Sequence, residues 1–146
     1  MITKYDLRKC KSIKLEMLEL QERIAEITSV MTAPRIPRLS AAPSGGGGNS
    51  DALCEAIDKL DTLRGLYYKK LGVLATTQLT IEKAIEKFSA DDQMLLRLYY
   101  FSGYTWEQVA IRLGINWRSV HRRHAAILER LAQDGEEKKE TEPKNQ

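Results

Sequence analysis

The chain has 146 residues, of which 42% are hydrophobic and 29% are charged, and its formal net charge is +3. This length suits one small domain or two very small ones. No stretch approaches the ~18 apolar residues of a membrane span, and the N-terminus lacks the apolar core of a signal peptide, so we expect a cytoplasmic protein. The two cysteines, Cys10 and Cys54, form no metal-binding motif, and we expect neither a metal site nor another cofactor.

Residues 3–31 predict a long helix with a coiled-coil seam. Its apolar residues alternate spacings of three and four, which is the a/d pattern of a heptad repeat. The seam consists of Cys10, Ile13, Met17, Leu20, Ile24, Ile27 and Met31. A second seam of the same kind, interrupted by Arg64 and Gln78, predicts another helix from about residue 50 to 88.

The connection between these two helices, residues 32–50, contains three prolines and four consecutive glycines, which predicts a flexible loop. Two seams joined by such a loop predict that residues 1–89 form a long, antiparallel, coiled-coil-like hairpin in which Cys10 faces Leu74. A parallel or dimeric coiled coil is the alternative that the pattern leaves open. The hairpin also offers a surface for a homo-oligomer.

Residues 90–132 predict three short helices that form a helix-turn-helix domain. The second of them begins after a capping box of Thr105 and Gln108 and ends at Gly114, because glycine suits the left-handed position after a helix. Asn116 is a preferred N-cap for the third helix. Two helices joined by a glycine-containing turn, with the second placed in the major groove, define the helix-turn-helix motif.

The third helix, residues 117–131, is predicted to read double-stranded DNA. The segment Arg112–Arg130 has five arginines and one glutamate, and such a basic patch favours a polyanion. An arginine fork bonds guanine in a bidentate manner, so we expect Arg118 and Arg122 to read bases together with His121. Contacts to sugar, methyl or phosphate groups are expected from the remaining candidate residues, Trp117, Ser119, Arg123 and Thr105. The alternatives are a solvated basic face and, for Trp117, packing against the preceding helix.

The other residues give weaker signals. His121 and His124 are three residues apart, but no third metal ligand lies nearby, and we expect His124 at the edge of the core. No catalytic set and no phosphate-binding loop can be placed, so we do not expect an enzyme. A bracing helix is predicted from about residue 90 to 102, and residues 133–146 are predicted to be a disordered, charged tail.

The segment LLRLYYFSGYTWEQVAIRLGINWRSVHRRHAAILERL, from Leu95 to Leu131, resembles region 4 of sigma-70-type factors, which reads the upstream promoter element. With the heptad hairpin, the ITSVMTAP segment and the Gly/Ser/Pro insert, the chain is similar to small sigma-like proteins of phages and prophages of Gram-positive bacteria. That group is related to the ArpU and RinA type of late-gene regulators. The resemblance implies transcriptional control in the cytoplasm of a bacterial host cell, with Arg118, His121 and Arg122 at promoter-reading positions.

The predicted fold class is therefore all-α, with a long antiparallel hairpin followed by a three-helix helix-turn-helix domain of sigma region 4 type. The predicted function is a sequence-specific DNA-binding regulator of phage late or prophage genes, and contact with bacterial RNA polymerase is a further expectation. Two alternatives stay open. One is the small subunit of a phage terminase, which recognises DNA for packaging, and the other is an adaptor that binds RNA polymerase without specific DNA binding.

Overall fold

The computed structural model describes residues 2–33 and 48–141, and within these ranges the regular structure is entirely helical. This confirms the predicted all-α fold class. The helices, in chain order, are α1 (Lys4–Thr32), α2 (Gly48–Ile85), α3 (Ala90–Leu96), a π-helical turn (Arg97–Phe101), α4 (Trp106–Leu113) and α5 (Trp117–Thr141). In the described ranges, no helix combines the length and hydropathy that a membrane crossing requires.

The chain divides into two compact units, and both long helices cross the division. Residues 15–72 form one unit, here called the hairpin unit, and residues 1–14 with 73–146 form the helix-turn-helix unit. The sequence places the boundary at residue 89 instead. The difference arises because the first turns of α1 and the last turns of α2 group with α3 to α5, and Lys14–Phe101 and Glu82–Arg97 contacts join them.

The hairpin unit pairs α1 with α2 in antiparallel fashion. The amide of Gln21 donates to the hydroxyl of Tyr67 over 2.9 Å, and Lys70 forms an ion pair with Glu16. Of the predicted loop, residues 32–50, residues 34–47 lie outside the described residues. Its ends differ from the prediction, because Thr32 belongs to α1 and residues 48–50 belong to α2.

The seam predicted for α2 is only partly covered. Leu53, Ile57 and Leu71 keep 40 to 42% of their surface exposed, whereas Leu60 is buried. Two helices alone cannot enclose such a wide apolar stripe, because each covers one side of the other.

The first turns of α1 contribute a buried cysteine to the helix-turn-helix unit. Cys10 is buried as a free thiol, and Leu74, which the sequence predicts to face it, is buried as well, so this pairing stays a prediction. Gln78, one of the two polar interruptions of the predicted seam, lies one helical turn beyond Leu74. Burial raises the pKa of the Cys10 thiol.

The bracing helix differs from its prediction in its last turn. Ser89 caps α3 as expected, since its hydroxyl accepts from the backbone N–H of Asp92 over 3.2 Å. From Arg97 the helix widens to a π-helix, in which the N–H of Ser102 donates to the carbonyl of Arg97. The Arg97 guanidinium is held in two hydrogen bonds of 2.6 and 2.7 Å by Glu82 of α2.

The C-terminal segment is the other difference from the sequence prediction. A disordered tail is predicted from residue 133, whereas α5 continues to Thr141. The helix continues because Gly135 is buried and Asp134 forms an ion pair with Lys87, in the turn that follows α2. The rest of the predicted tail, residues 142–146, lies outside the described residues.

Candidate nucleic-acid interface

The turn between α4 and α5 is built by capping residues. Thr105 accepts from the N–H of Gln108 over 3.3 Å, and the Gln108 side chain accepts from the N–H of Thr105 over 3.0 Å. Gly114 has a φ of +66°, a left-handed conformation that favours glycine, and ends α4. The Asn116 side chain then accepts from the N–H of Ser119 over 2.8 Å and starts α5. These contacts confirm the predicted start and end of α4 and the predicted start of α5.

The first turns of α5 have one buried side and one exposed basic side. Val120 and Ile127 are at most 2% exposed and pack into the core of the unit. Arg118 and Arg122 are four residues apart and exposed. At 3.6 residues per turn they lie on the side opposite Val120 and Ile127. Two arginine forks are thus presented on one face, which is the arrangement that a major-groove helix needs.

Trp117 and His121 belong to a row of aromatic rings that connects α5 to the π-helical turn. The Trp106 ring stacks on Tyr99 with centroids 3.7 Å apart and an interplanar angle of 10°. His121 lies between Trp106, at 5.2 Å, and Trp117, at 4.1 Å. Trp117 stays 51% exposed, so it lies at the open end of the row.

This placement separates His121 from the two arginines. Its Nε2 atom is buried and finds no hydrogen-bond partner among the described residues. A ring held between two indoles has little freedom to reach a base edge, whereas the exposed indole of Trp117 can contact sugar or a thymine methyl. The base-reading role of His121 therefore stays a prediction to be tested against this packing role.

His124 lies on the core side of the same row, as the sequence predicts. Its Nε2 atom is 2.8 Å from the hydroxyl of Tyr100. Burial, with a smaller contribution from the charge of Lys4, lowers the pKa of His124 to about 4. Burial likewise raises the pKa of Tyr100 to about 12. The pair is therefore a neutral structural contact at neutral pH.

The remaining predicted site residues differ in how exposed they are and in whether they are paired within the protein. Arg123 lies 3.8 Å from Asp91, at the N-terminus of α3, so its charge is partly matched within the protein. Ser119 is half-buried beside Asn116, and Thr105 is exposed while it caps α4. A DNA backbone could still accept from exposed groups at these two helix N-termini.

Several cationic side chains near this surface were not singled out by the sequence. The guanidinium of Arg112 lies 4.1 Å from the centre of the Tyr104 ring, and that of Arg130 lies 4.6 Å from the Phe88 ring. On α1, Lys11 lies 3.7 Å from the centre of the Tyr99 ring. The sequence indicated both arginines, because they are part of the basic segment Arg112–Arg130. It gave no indication for Lys11, which only the three-dimensional structure places near Tyr99.

Residues 78–131 match the family model described as Sigma-70, region 4. The match covers just over a third of the chain, so it assigns this segment and not the whole protein. It includes the end of α2, which the structure also groups with α3 to α5. Searches of curated proteins and of solved structures found no match.

The geometry and the family match agree on the nature of this segment. A capped α4, a short turn and an α5 with an exposed arginine pair form a helix-turn-helix. Region 4 of sigma-70 factors is a DNA-binding module of this type. The segment is therefore a region-4-like, DNA-binding helix-turn-helix of the kind typical of transcription regulation.

Proposed function

We propose that this protein is a sequence-specific transcriptional regulator that reads the major groove of double-stranded DNA with the first turns of α5. The exposed pair of Arg118 and Arg122 carries the proposal, because it lies opposite the buried side of a helix whose start is fixed by the turn at Gly114. Each bidentate arginine–guanine contact contributes about 1–3 kcal/mol of discrimination between bases. Two such contacts are enough to prefer a short operator over random DNA.

The proposal is tested by selecting duplexes from a random pool with the full chain and then titrating the enriched sequence by fluorescence anisotropy. Arg118→Ala and Arg122→Ala should each weaken binding to that sequence by about 1–3 kcal/mol and relax the preference at one base pair. Arg64→Ala, an exposed arginine of the hairpin unit, is the matched control and should leave the affinity unchanged. Unchanged affinity in both α5 variants would show that another face reads the DNA.

The two remaining predicted readers need separate variants. Trp117→Ala should weaken binding, since it removes an exposed indole at the start of the reading helix. His121→Gln keeps a polar side chain of similar size between the indoles but replaces the imidazole with an amide, which forms different hydrogen bonds. A changed base preference would therefore support direct reading of a base by His121. Unchanged preference with lowered thermal stability would assign His121 to packing.

We further propose that the regulated genes are phage late or prophage genes and that the protein contacts RNA polymerase. The resemblance to phage regulators supports the first point, and the region-4 match supports the second. Selection from a fragmented phage genome should enrich a fragment upstream of late genes, and the full chain should retain purified bacterial RNA polymerase. Enrichment of fragments scattered over the phage genome would contradict the proposed regulation of late genes. Retention of polymerase without any duplex preference would favour an adaptor instead of a regulator.

Self-association through the hairpin unit is the third element of the proposal. The half-exposed stripe of Leu53, Ile57 and Leu71 supports it, because a second helical hairpin would cover this apolar surface. Sedimentation velocity should detect a dimer that Ile57→Glu dissociates, whereas Glu55→Gln on the same helix should not. A ring of many subunits would instead favour a terminase small subunit.

A further inference from the structure

The positive charge of the helix-turn-helix unit comes from an unexpected part of the chain. Residues 73–146 contain eleven basic and eleven acidic residues, so their formal charge is zero. Residues 1–14 contain five basic residues and one acidic residue, and they belong to the same compact unit. The net charge of +4 in this unit is therefore supplied entirely by the start of α1. A DNA-binding unit gains most of its non-specific affinity from such charge.

Three basic side chains of this segment share one side of α1. Lys4, Arg8 and Lys11 follow each other at spacings of four and three residues, which places them along one helical stripe. Lys4 and Arg8 are exposed, and the described residues give neither of them an ion pair. Lys11 lies over the Tyr99 ring, the same ring that stacks on Trp106.

The start of α1 is held firmly against the helix-turn-helix. Ile2 and Leu7 are buried, and the ammonium group of Lys14 donates to the carbonyl of Phe101. The charges of Lys4 and Arg8 are near enough to lower the pKa values of His124 and Tyr100, respectively, although burial is the larger influence on both. Lys11 of this stripe lies over the Tyr99 ring, whose centre is 6.3 Å from that of the His124 ring, so the stripe lies beside α5 on the flank that carries His124.

We propose that Lys4 and Arg8 form a second DNA contact, which binds the phosphate backbone beside the groove occupied by α5. The two charges are exposed, unpaired and fixed by the buried side of the same helix, so they can meet a polyanion without reordering the chain. The contact is to phosphates and carries no base preference. This inference rests on the proposed function, because it adds residues to the same DNA interface.

The test compares the salt dependence of DNA binding by full-length variants. A fluorescein-labelled duplex of arbitrary sequence is titrated by anisotropy at potassium chloride concentrations from about 50 to 200 mM. The double variant Lys4→Gln/Arg8→Gln should bind more weakly, and its plot of log affinity against log salt should be less steep by about 2. The ratio of wild-type to variant affinity should then fall about fourfold for each doubling of salt.

Two matched controls separate a phosphate contact from bulk charge and from misfolding. Arg64→Gln/Lys69→Gln removes the same charge from exposed positions of the hairpin unit and should keep the wild-type slope. Lys4→Arg/Arg8→Lys keeps the charge in place and should also keep the slope.

Each outcome bears on one of the two proposals. If Lys4→Gln/Arg8→Gln behaves like the hairpin control, the second contact is overturned while sequence-specific reading by α5 can still stand. If the slope falls but selection from random DNA finds no preferred sequence, the second contact stands and the regulator proposal is overturned. A wild-type chain that binds no duplex at all overturns both.

Discussion

At the scale of single residues, His124 shows how the fold sets the protonation of a side chain. The ring is held 2.8 Å from the Tyr100 hydroxyl in a region that excludes much of the solvent. A free histidine has a pKa near 6.5, whereas His124 has a pKa of about 4. Between these two pH values, the unfolded chain binds a proton at this position that the folded chain does not.

This difference predicts a loss of stability on acidification. The free energy of unfolding should fall as the pH drops from about 6.5 to about 4, because the unfolded state then binds more protons than the folded state. One pKa unit corresponds to about 1.4 kcal/mol, and partial exposure reduces the effect, so we expect a loss of about 2 kcal/mol. Urea denaturation at a series of pH values measures it. His124→Gln should flatten the profile in this window, and an unchanged profile would contradict the neutral His124–Tyr100 contact.

His121 marks the limit of reasoning from residue type. The sequence correctly places a histidine on a helix that carries an arginine pair, and from that position alone a base contact follows. That contact stays a prediction, but the structure adds a neighbourhood that the sequence did not indicate, because the ring lies between Trp106 and Trp117, each at the first position of a different helix. Contacts across a turn depend on the angle between α4 and α5, which no pattern within one helix specifies.

At the scale of elements, the capped helix termini on either side of the α4–α5 turn were the most predictable features of the chain. Thr105, Gly114 and Asn116 each have one local role that depends on neighbours within a few residues, and each has that role in the structure. The π-helical turn at Arg97 was not predictable, since it depends on Glu82 of another helix and on a ring stack with Trp106. The extension of α5 to Thr141 was missed for the same reason, because Asp134 is held by Lys87.

The two kinds of glycine in this protein should respond oppositely to alanine. Gly114 has a φ of +66°, so Gly114→Ala should destabilise the fold by about 1 kcal/mol or more. Gly65 lies within α2 and an added Cβ meets nothing within 4 Å, so Gly65→Ala should stabilise by roughly 0.5–1 kcal/mol. Thermal denaturation of the two variants measures both effects. Equal shifts of the same sign would mean that the turn at Gly114 does not require a left-handed residue.

At the scale of the whole molecule, burial is distributed very unevenly between the two units. Of the nineteen hydrophobic residues that are buried in the described ranges, three belong to the hairpin unit: Met17, Leu20 and Leu60. The other sixteen belong to the helix-turn-helix unit. The free energy of local opening follows the apolar contacts that an opening must break. The hairpin unit should therefore open more often, although α1 and α2 are continuous helices through both units.

Hydrogen exchange measured by mass spectrometry tests this expectation and the proposed self-association together. At low protein concentration, backbone amides of residues 15–33 and 50–72 should exchange faster than those of residues 106–131. If a second copy covers the stripe around Ile57, protection of the hairpin unit should rise with protein concentration, while that of residues 106–131 should stay constant. Ile57→Glu should abolish this concentration dependence without changing the exchange of residues 106–131.

Equal protection of both units at every concentration would contradict the uneven stability. Faster exchange without concentration dependence would leave the hairpin unit as a weakly stabilised monomeric element, because its few buried residues would then be its whole core.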